Sequence, residues 1–389
     1  IGVLCCDLER FSLLNDTMSW EAGDAALRAV AGRLRRVGSA LLAARLEADR
    51  FAVVLGARDR SALITAAEEL LSDLSGWYEI GGDEVYLHMR GGLAIAQDGD
   101  DAASVLRRAE IAFQIGKRSG RESLAVYDPT LYQASVERQL LERDLRRALE
   151  QGELRLHYQP VLDLRDRQVS SVEALVRWHH PARGPVSPAV FVPLAEVTGL
   201  ISQLTQWVLL QACRQLRYWL RFGAAPDLAV SVNLSPIDFM HLDIPQLVED
   251  ILQVTGIQPQ QLTLELTESA MLDPAFSQER LERLRALGVA VLIDDFGAGY
   301  SSLGYLKRLP VRGLKLDREL IRDIERDRAS EAVIRSVLEL ARALGLSVTA
   351  EGIENAQQEE LVRQLGCDYG QGFWLGRPVP PEAILPLLR

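Results

Sequence analysis

Residues 1–127 contain apolar patterns of two periods. Short apolar runs of strand length lie at Ile1–Cys6, Arg50–Leu55, around Tyr78 and at Val85–Ala96. Stretches with apolar residues at every third or fourth position, which predict amphipathic helices, lie at Ala22–Arg36, Arg60–Ser72 and Ala102–Ile115. We therefore predict a mixed α/β domain with at least one antiparallel hairpin.

A helical pattern without strand signals separates this region from the rest of the chain. Its leucines recur at helical spacing among arginines and glutamates: Leu131, Leu140, Leu141, Leu145 and Leu149. Gly152 follows, as is common after the last turn of a helix. We place the first domain at residues 1–128, a connecting helix at 129–151 and a second domain at 152–389.

The second domain repeats one unit, a short apolar strand that ends in polar residues and is followed by a helical stretch. The predicted strands are Leu156–Leu162, Val169–Trp178, Leu228–Leu234, Leu262–Leu266, Val289–Asp295, Gly313–Asp317, Ser347–Ile353 and Tyr369–Leu375. About eight such units in about 235 residues are typical of a (β/α)8 TIM-like barrel. Chemistry in such barrels lies at the carboxyl ends of the strands.

The residues at these strand ends form a chemically coherent set: Glu173, Arg177, Asn233, Glu265, Glu268, Asp294, Asp295, Lys315, Asp317, Glu351, Glu354 and Gln371. A single carboxylate at a strand end is usually a helix cap or a surface charge. Carboxylates that converge repel one another unless cations neutralise them. Oxygen ligands without His or Cys favour Mg²⁺ or Mn²⁺. The adjacent Asp294 and Asp295 suggest a two-metal site, a type that commonly hydrolyses phosphate esters.

Composition and charge restrict the class of protein. The chain has 389 residues, 48% hydrophobic and 25% charged, which is typical of a globular protein, and its net charge of −11 disfavours binding to duplex DNA. A small anionic ligand remains compatible, because a metal ion supplies positive charge locally. Four cysteines without CxxC spacing favour a reduced, cytoplasmic setting. The chain opens in an apolar segment without Met, so we expect a fragment whose membrane contact, if any, lies in segments upstream.

The second domain resembles the EAL family of bacterial cyclic-di-GMP phosphodiesterases. Its signature region reads Glu173-Ala174-Leu175-Val176-Arg177-Trp178. Other motifs agree in order and spacing: Tyr158-Gln159-Pro160, Asn233-Leu234-Ser235, Glu265-Leu266-Thr267-Glu268, Asp294-Asp295-Phe296-Gly297, Lys315-Leu316-Asp317, Ala350-Glu351-Gly352-Ile353-Glu354 and Gly370-Gln371-Gly372-Phe373. The resemblance extends from about Leu140 to the C-terminus.

The resemblance implies a role for each of these residues. Two divalent cations, Mg²⁺ or Mn²⁺, would be held by Glu173, Asn233, Glu265, Asp294, Asp295 and Glu351. Lys315 would polarise the attacking water and Glu351 would act as general base. The substrate, cyclic-di-GMP, would be contacted by Arg177 at a phosphate and by Gln159, Leu175, Asp317, Glu354 and Gln371. Glu268 would anchor the loop Asp295–Leu303.

The first domain resembles the GGDEF family, whose intact members are diguanylate cyclases. Asp7-Leu8-Glu9-Arg10-Phe11, Asn15-Asp16 and Gly23-Asp24 resemble its opening, but the place of the signature reads Glu47-Ala48-Asp49-Arg50-Phe51. A literal Gly81-Gly82-Asp83-Glu84 lies elsewhere, and we predict that it is a glycine-rich turn.

The altered signature predicts that cyclase activity is absent. Glu47 and Ala48 replace the paired glycines that let the backbone approach a nucleotide, and Arg50 replaces an acidic residue. Ser12 stands where the family usually has a phosphate-binding lysine. GTP binding without turnover remains open through Asn15, Asp24, Lys117 and Arg121. The alternative is that this domain is only a dimerisation or spacer module, and we expect a homodimer.

Three hypotheses for function follow. The first is a working phosphodiesterase that linearises cyclic-di-GMP to pGpG, with the first domain as its regulator. The second is a non-catalytic cyclic-di-GMP receptor, which the intact set of strand-end residues disfavours. The third is a bifunctional cyclase and phosphodiesterase, which the altered signature disfavours.

Overall fold

The computed structural model describes the chain apart from residues 10, 12–13, 16–17, 39, 120–122, 272–273, 298–305 and 389. The described chain forms two compact units, Ile1–Leu140 and Leu141–Arg389. The predicted domain boundaries at residues 128 and 151 stay predictions. No helix among the described residues is long and apolar enough to span a membrane.

The first unit combines a five-stranded sheet, a two-stranded hairpin and helices. Its strands are β1 (Gly2–Leu8), β2 (Ala40–Arg45), β3 (Phe51–Leu55), β4 (Gly76–Ile80), β5 (Asp83–Leu87), β6 (Met89–Ile95) and β7 (Leu124–Val126). Its helices are α1 (Trp20–Leu34), α2 (Arg60–Leu74) and α3 (Ala102–Ser119), and α4 (Pro129–Gln151) has residues in both units. The sheet order is β2-β3-β1-β6-β7, and β4 pairs with β5 alone. The predicted mixed α/β domain is confirmed, but the predicted strand Val85–Ala96 is two strands.

Side chains of β1 alternate between the two faces of the sheet, and each face packs against a different cluster. Leu4, Cys6 and Leu8 belong to the core cluster that also contains residues of α1 and α2. Cys5 belongs to a second cluster with Val105 of α3. Because successive side chains of a strand point to opposite faces, Asp7 lies on the same face as Cys5. This places the Asp7 carboxylate where Lys117 of α3 binds it at 2.8 Å.

Two hairpins of this unit contain the altered cyclase signature and the literal Gly81-Gly82-Asp83-Glu84 sequence, respectively. Residues 46–50 join the antiparallel strands β2 and β3, so the altered signature lies at a hairpin tip. The tip is closed by its own contacts, since Arg50 Nη2 lies 3.2 Å from Glu47 Oε2. Gly81 and Gly82, with φ of 65° and 96°, form the two-residue turn between β4 and β5. The predicted glycine-rich turn is therefore confirmed.

In the described residues, the second unit contains nine strands and nine α-helices. Its strands are β8 (Leu154–Asp163), β9 (Val169–His180), β10 (Gly184–Val186), β11 (Ala229–Asn233), β12 (Leu262–Thr267), β13 (Ala290–Phe296), β14 (Gly313–Leu316), β15 (Ser347–Ala350) and β16 (Tyr369–Gly370). Its helices are α5 (Pro188–Thr198), α6 (Ile201–Arg221), α7 (Pro236–His241), α8 (Ile244–Thr255), α9 (Pro274–Leu287), α10 (Arg318–Arg322), α11 (Arg328–Leu344), α12 (Ala356–Leu365) and α13 (Pro381–Ile384). Short 3-10 helices lie at Pro259–Gln261, Glu268–Met271 and Leu385–Leu388.

Eight of these strands close into a barrel, which confirms the predicted TIM-like fold. The strands β9 and β11–β16 run parallel to one another, and β8 closes the sheet between β16 and β9. The barrel departs from the predicted repeat in two respects. The strand β8 is antiparallel to both neighbours and is joined to β9 by a short turn, where the repeat predicted a helix. The last strand is also shorter than the predicted Tyr369–Leu375.

We predict that Gly92→Ala destabilises the first unit. A Cβ atom at Gly92 of β6 would lie 2.0 Å from Phe113 N and 2.5 Å from Ala109 O, both backbone atoms of α3. Relieving this overlap should cost about 1–3 kcal/mol of unfolding free energy, measured by urea denaturation. The control is Gly32→Ala in α1, which meets nothing within 4 Å and should stabilise by about 0.5–1 kcal/mol. Equal stability of the two variants would contradict the prediction.

Candidate functional site

The barrel strands direct the predicted site residues to one place. On β9, Glu173, Leu175 and Arg177 share a face, because side chains alternate along a strand. The parallel register pairs Asn233 with Glu265 on the neighbouring strands. The carboxyl ends of parallel strands meet at one mouth of a barrel, so these polar residues converge there.

Lys315 of β14 is the centre of this cluster. Its side chain is 2% exposed, and its Nζ donates to Glu265 Oε2 at 2.7 Å. Nζ also lies 2.5 Å from Glu351 Oε1, 3.5 Å from Asp294 Oδ1 and 3.7 Å from Glu173 Oε2. One ammonium therefore faces four carboxylates, which leaves an excess of three negative charges when all four are ionised.

Amide side chains hold Glu173 from the other side. Asn233 Nδ2 donates to Glu173 Oε1 at 2.6 Å, and Gln371 Nε2 donates to Glu173 Oε2 at 2.5 Å. Gln371 Nε2 also lies 3.1 Å from Gln159 Oε1, and Gln159 Nε2 donates to Gly376 O at 2.9 Å. Gln371 Oε1 is buried without a hydrogen-bond partner among the described residues. Both oxygens of the Glu173 carboxylate are thus fixed in direction.

Asp294 and Asp295 share the site although they are consecutive in the chain. Consecutive strand residues normally point to opposite faces. Here the pairing of β13 with β14 shifts between Ile293 and Phe296, and Asp295 has φ +52°, the left-handed region that L-residues rarely occupy. Such bulges re-aim side chains at functional sites. As a result, carboxylate oxygens of Asp294, Asp295 and Glu351 lie within 4.8 Å of one another.

Burial and mutual repulsion shift the pKa values in this cluster. Burial raises the pKa of Glu265 to about 8 against the attraction of Lys315, with Glu173 and Asp294 adding to the rise. Burial likewise raises the pKa of Glu351 to about 7, again against Lys315. Burial opposes ionisation of Glu173, but Lys315 and the amide donors outweigh it and lower its pKa. Burial disfavours the charge of Lys315, yet the carboxylates hold its pKa above the usual range.

The remaining predicted residues of the barrel lie at the rim. Arg177 donates to the Val176 carbonyl at 2.8 Å and makes no ion pair with the described residues. Asp317 caps α10 through Glu319 N, and its carboxyl faces Asp295, whose pKa is raised by burial and then by Asp294 and Asp317. Leu175 is half-buried and Glu354 is exposed.

Glu268 begins a short 3-10 helix after β12. The loop that it is predicted to anchor, Asp295–Leu303, lies outside the described residues from 298 onward. The anchoring role stays a prediction.

The predicted GTP contacts lie in the first unit. Lys117 is bound to Asp7, and Asp24 lies 3.9 Å from Arg28 on the exposed side of α1. Asn15 has a buried Oδ1 without a hydrogen-bond partner in the described structure. Arg121 and Ser12 lie outside the described residues. GTP binding stays a prediction.

One buried polar residue beside the acidic cluster escaped the sequence analysis. Ser231 of β11 is 3% exposed, pairs in register with Glu173, and its Oγ has no partner among the described residues. The sequence pattern could have identified Ser231, because it lies two positions before Asn233 and therefore on the same strand face.

The residues at the barrel mouth fit a divalent cation. The donors are carboxylates and an amide, the hard oxygen ligands that Mg²⁺ and Mn²⁺ prefer. Lys315 neutralises one of the four charges around it, and the carboxylate group of Asp294, Asp295 and Glu351 has the spacing of a metal site. Bound divalent cations would compensate the excess of three negative charges that remains when all four carboxylates are ionised.

Comparison with known families identifies both units. Residues 142–378, more than half of the chain, match the EAL domain, and residues 1–123 match the diguanylate cyclase GGDEF domain. The match covers the strands that carry Glu173, Asn233, Glu265, Asp294, Lys315 and Glu351.

Individual relatives share this tandem arrangement or its second half. The chain is 41% identical over 387 residues to MucR of Pseudomonas aeruginosa, a bifunctional diguanylate cyclase/cyclic di-GMP phosphodiesterase, covering 99% of this chain and 56% of the relative. It is 35% identical to the cyclic di-GMP phosphodiesterase PdeR of Escherichia coli, covering 99% and 58%. The chain thus spans little more than half the length of these two relatives. The solved structure of the PaMucR phosphodiesterase in complex with c-di-GMP superposes with a TM-score of 0.61 at 46% identity, covering 63% of this chain and 99% of that one.

We predict that the metal-free protein loses stability as pH rises. Burial raises the pKa of Glu265 to about 8 and that of Glu351 to about 7 in the folded state, whereas glutamates of the unfolded chain release their protons near the ordinary pKa of 4.5. The stability that these two groups contribute is therefore fully present below about pH 4.5 and is lost as pH rises through 7 and 8. Thermal melts in EDTA between pH 5.5 and 8.5 measure this slope, and Glu265→Gln should flatten it. A melting temperature of the second unit that rises over this range would contradict the prediction.

Proposed function

The chain belongs to the EAL family, with a GGDEF domain in the same chain, and we propose that its second unit hydrolyses cyclic-di-GMP to linear pGpG. The observation that carries this proposal is the buried Lys315 ammonium enclosed by Glu173, Glu265, Asp294 and Glu351 at the mouth of the barrel. A non-catalytic receptor is disfavoured because the full set of residues implied in metal binding and catalysis is present: Glu173, Glu265, Asp294, Asp295, Lys315 and Glu351. The c-di-GMP complex of the PaMucR phosphodiesterase supports the choice of substrate.

We further propose that two divalent cations, Mg²⁺ or Mn²⁺, complete the site. Glu173, Asn233, Glu265, Asp294, Asp295 and Glu351 would hold them. When bound, such cations lower the pKa of water and neutralise charge on the phosphate oxygens.

The side chains of the chain supply the other parts of the reaction. Glu351 is half-buried and in contact with Lys315, so in this proposal its carboxylate takes a proton from the attacking water. Lys315 donates toward the oxygen on which negative charge develops. Arg177, four residues beyond Glu173 on the same strand face, has a guanidinium whose planar fork matches a phosphate group.

The remaining substrate contacts are part of the same proposal. Glu354 and Gln159 would contact the guanine or ribose portions, and Leu175, Asp317 and Gln371 would also contact the substrate. Gln371 donates to Glu173 and to Gln159, so in this proposal both glutamines link the position of the substrate to the direction of the Glu173 carboxylate.

We predict that Glu173→Ala reduces cyclic-di-GMP hydrolysis by about 10²–10³-fold or more, the range seen when one electrostatic contact is removed from a preorganised site. Circular dichroism should show a folded protein, because the change removes one of four carboxylates that repel one another around Lys315 and leaves the apolar core unchanged. The matched control is Glu339→Gln, an exposed glutamate of α11, which should keep the wild-type rate. Chelation with EDTA should stop the wild-type reaction, and Mg²⁺ or Mn²⁺ should restore it.

Retained hydrolysis by folded Glu173→Ala would refute the site assignment. Binding of cyclic-di-GMP by the wild type in Mg²⁺ and in Mn²⁺, without formation of pGpG, would favour the receptor hypothesis instead.

For the first unit we propose a domain without cyclase activity that responds to GTP. Glu47 and Ala48 place side chains at the hairpin tip, and Glu47 is bound by Arg50 of the same tip. Two glycines there would leave the backbone open to a nucleotide. Asn15, Asp24, Lys117 and Arg121 remain as polar contacts.

We predict that no cyclic-di-GMP forms from GTP. The assay uses the Glu351→Ala variant, in which any product would accumulate, and chromatography after incubation with Mg²⁺ or Mn²⁺. A cyclic-di-GMP peak would show that the hairpin with Glu47 and Ala48 supports catalysis.

We also predict that GTP changes the rate of cyclic-di-GMP hydrolysis. Coupling between two sites is typically worth about 1–3 kcal/mol, so the rate or the apparent affinity should change about 5- to 150-fold at most. A GTP titration of the hydrolysis rate measures this, with Lys117→Gln as the variant that should lose the response. If GTP leaves the hydrolysis rate unchanged and calorimetry detects no heat of GTP binding, the first unit has only the dimerisation or spacer role.

A further inference from the structure

The barrel interior beneath the acidic cluster is lined by hydroxyl groups. Stepping back two residues from a site residue keeps the same strand face and moves one layer toward the strand N-terminus. This step leads from Glu173 to Ser171, from Asn233 to Ser231, from Glu265 to Thr263 and from Glu351 to Thr349. In other barrels such layers are filled mainly by bulky branched side chains. Here four of these positions carry small hydroxyl residues.

These small residues leave a cavity of about 710 Å³. It extends from Glu265 and Lys315 down to residues at the N-terminal ends of the strands, such as Ala290 and Ser347. All four hydroxyl residues line it. Its volume is within the range of about 300–1,000 Å³ that small-molecule sites occupy.

Ser231 offers the cavity an unpaired hydroxyl group within the described structure. Its side chain lines the cavity, is 3% exposed, and has an Oγ without a partner among the described residues. A buried hydroxyl left without a hydrogen bond is unfavourable, because it has lost its hydrogen bonds to water. A polar atom inside the cavity would remove that cost.

Basic residues at the lower end of the cavity select for an anion. Lys307 and Arg312 line it, are exposed, and make no ion pair with any residue that the structure describes. Arg285 also lines it, with its charge partly balanced by Glu282. The one carboxylate of the lining, Glu265, is bound to Lys315. This lining is cationic in a chain whose net charge is −11.

We propose that this cavity is a second ligand site, which binds a small phosphate-bearing anion from the N-terminal end of the barrel. Lys307 and Arg312 would bind the phosphate oxygens, and the hydroxyls of Ser231 and Thr263 would bind the part that enters the barrel. The ligand enters at the opposite end of the barrel from the mouth at which the proposed hydrolysis takes place, although Glu265 and Lys315 border both. The proposal does not depend on that hydrolysis.

Calorimetry on the full chain in buffer without divalent metal tests the site. The probes are orthophosphate, glycerol phosphate and guanosine monophosphate, which separate a free ion from a phosphate monoester and from a nucleotide. Lys307→Gln combined with Arg312→Gln should weaken binding of at least one probe about tenfold or more, equivalent to about 1.4 kcal/mol. The matched control combines Arg326→Gln with Arg328→Gln, two exposed arginines outside the cavity, and should bind as the wild type does.

Two further measurements place the ligand. Arg177→Gln should leave probe binding unchanged, which separates this cavity from the barrel mouth, and Ser231→Ala should weaken it. Tungstate soaked into crystals should give an anomalous peak beside Arg312. Absence of heat with all three probes, equal binding by the double variant and its control, or a tungstate peak only at Arg177 would overturn the proposal.

Discussion

The interaction on which the barrel site depends is the contact of Lys315 with its four carboxylates. Burying several carboxylates together is unfavourable unless positive charge accompanies them. Lys315 supplies one such charge from inside the barrel, through a side chain that is almost entirely shielded from solvent. The deep carboxylate, Glu265, is thus bound to the protein's own cation, while Asp295 at the rim is exposed. The charge that remains uncompensated is therefore concentrated at the mouth, where an external cation has access.

The geometry of the mouth depends on an irregularity of β13. A regular strand would direct Asp294 and Asp295 to opposite faces. The register shift and the left-handed conformation of Asp295 bring both carboxylates to the Glu351 side of the barrel. Such a conformation is unfavourable for aspartate by about 1–3 kcal/mol. The surrounding parallel strands, which are fixed by hydrogen bonds on both sides, hold it in place.

Sequence reasoning found the barrel because most of its strands have a simple signal. A short apolar run followed by a polar residue predicts a barrel strand and a polar side chain near the mouth, so the convergence of Glu173, Glu265 and Glu351 could be predicted from the pattern alone. The direction of β8 could not be predicted from the pattern. An apolar run has the same pattern in both directions, and only the short turn before β9 makes the strand antiparallel. The bulge at Asp295 could not be predicted from the sequence pattern either, because it depends on pairing with β14 rather than on local composition.

The reversed direction of β8 has a consequence for the site itself. Antiparallel pairing places Gln159 directly opposite Glu173, in the middle of its own strand rather than at the strand end. From there Gln159 accepts a hydrogen bond from Gln371, which in turn donates to Glu173. The two strands that flank β8 are thereby joined across it by side chains as well as by the backbone. The closure of the barrel and the orientation of the Glu173 carboxylate are therefore set by the same contacts, so a change at Gln159 acts on both.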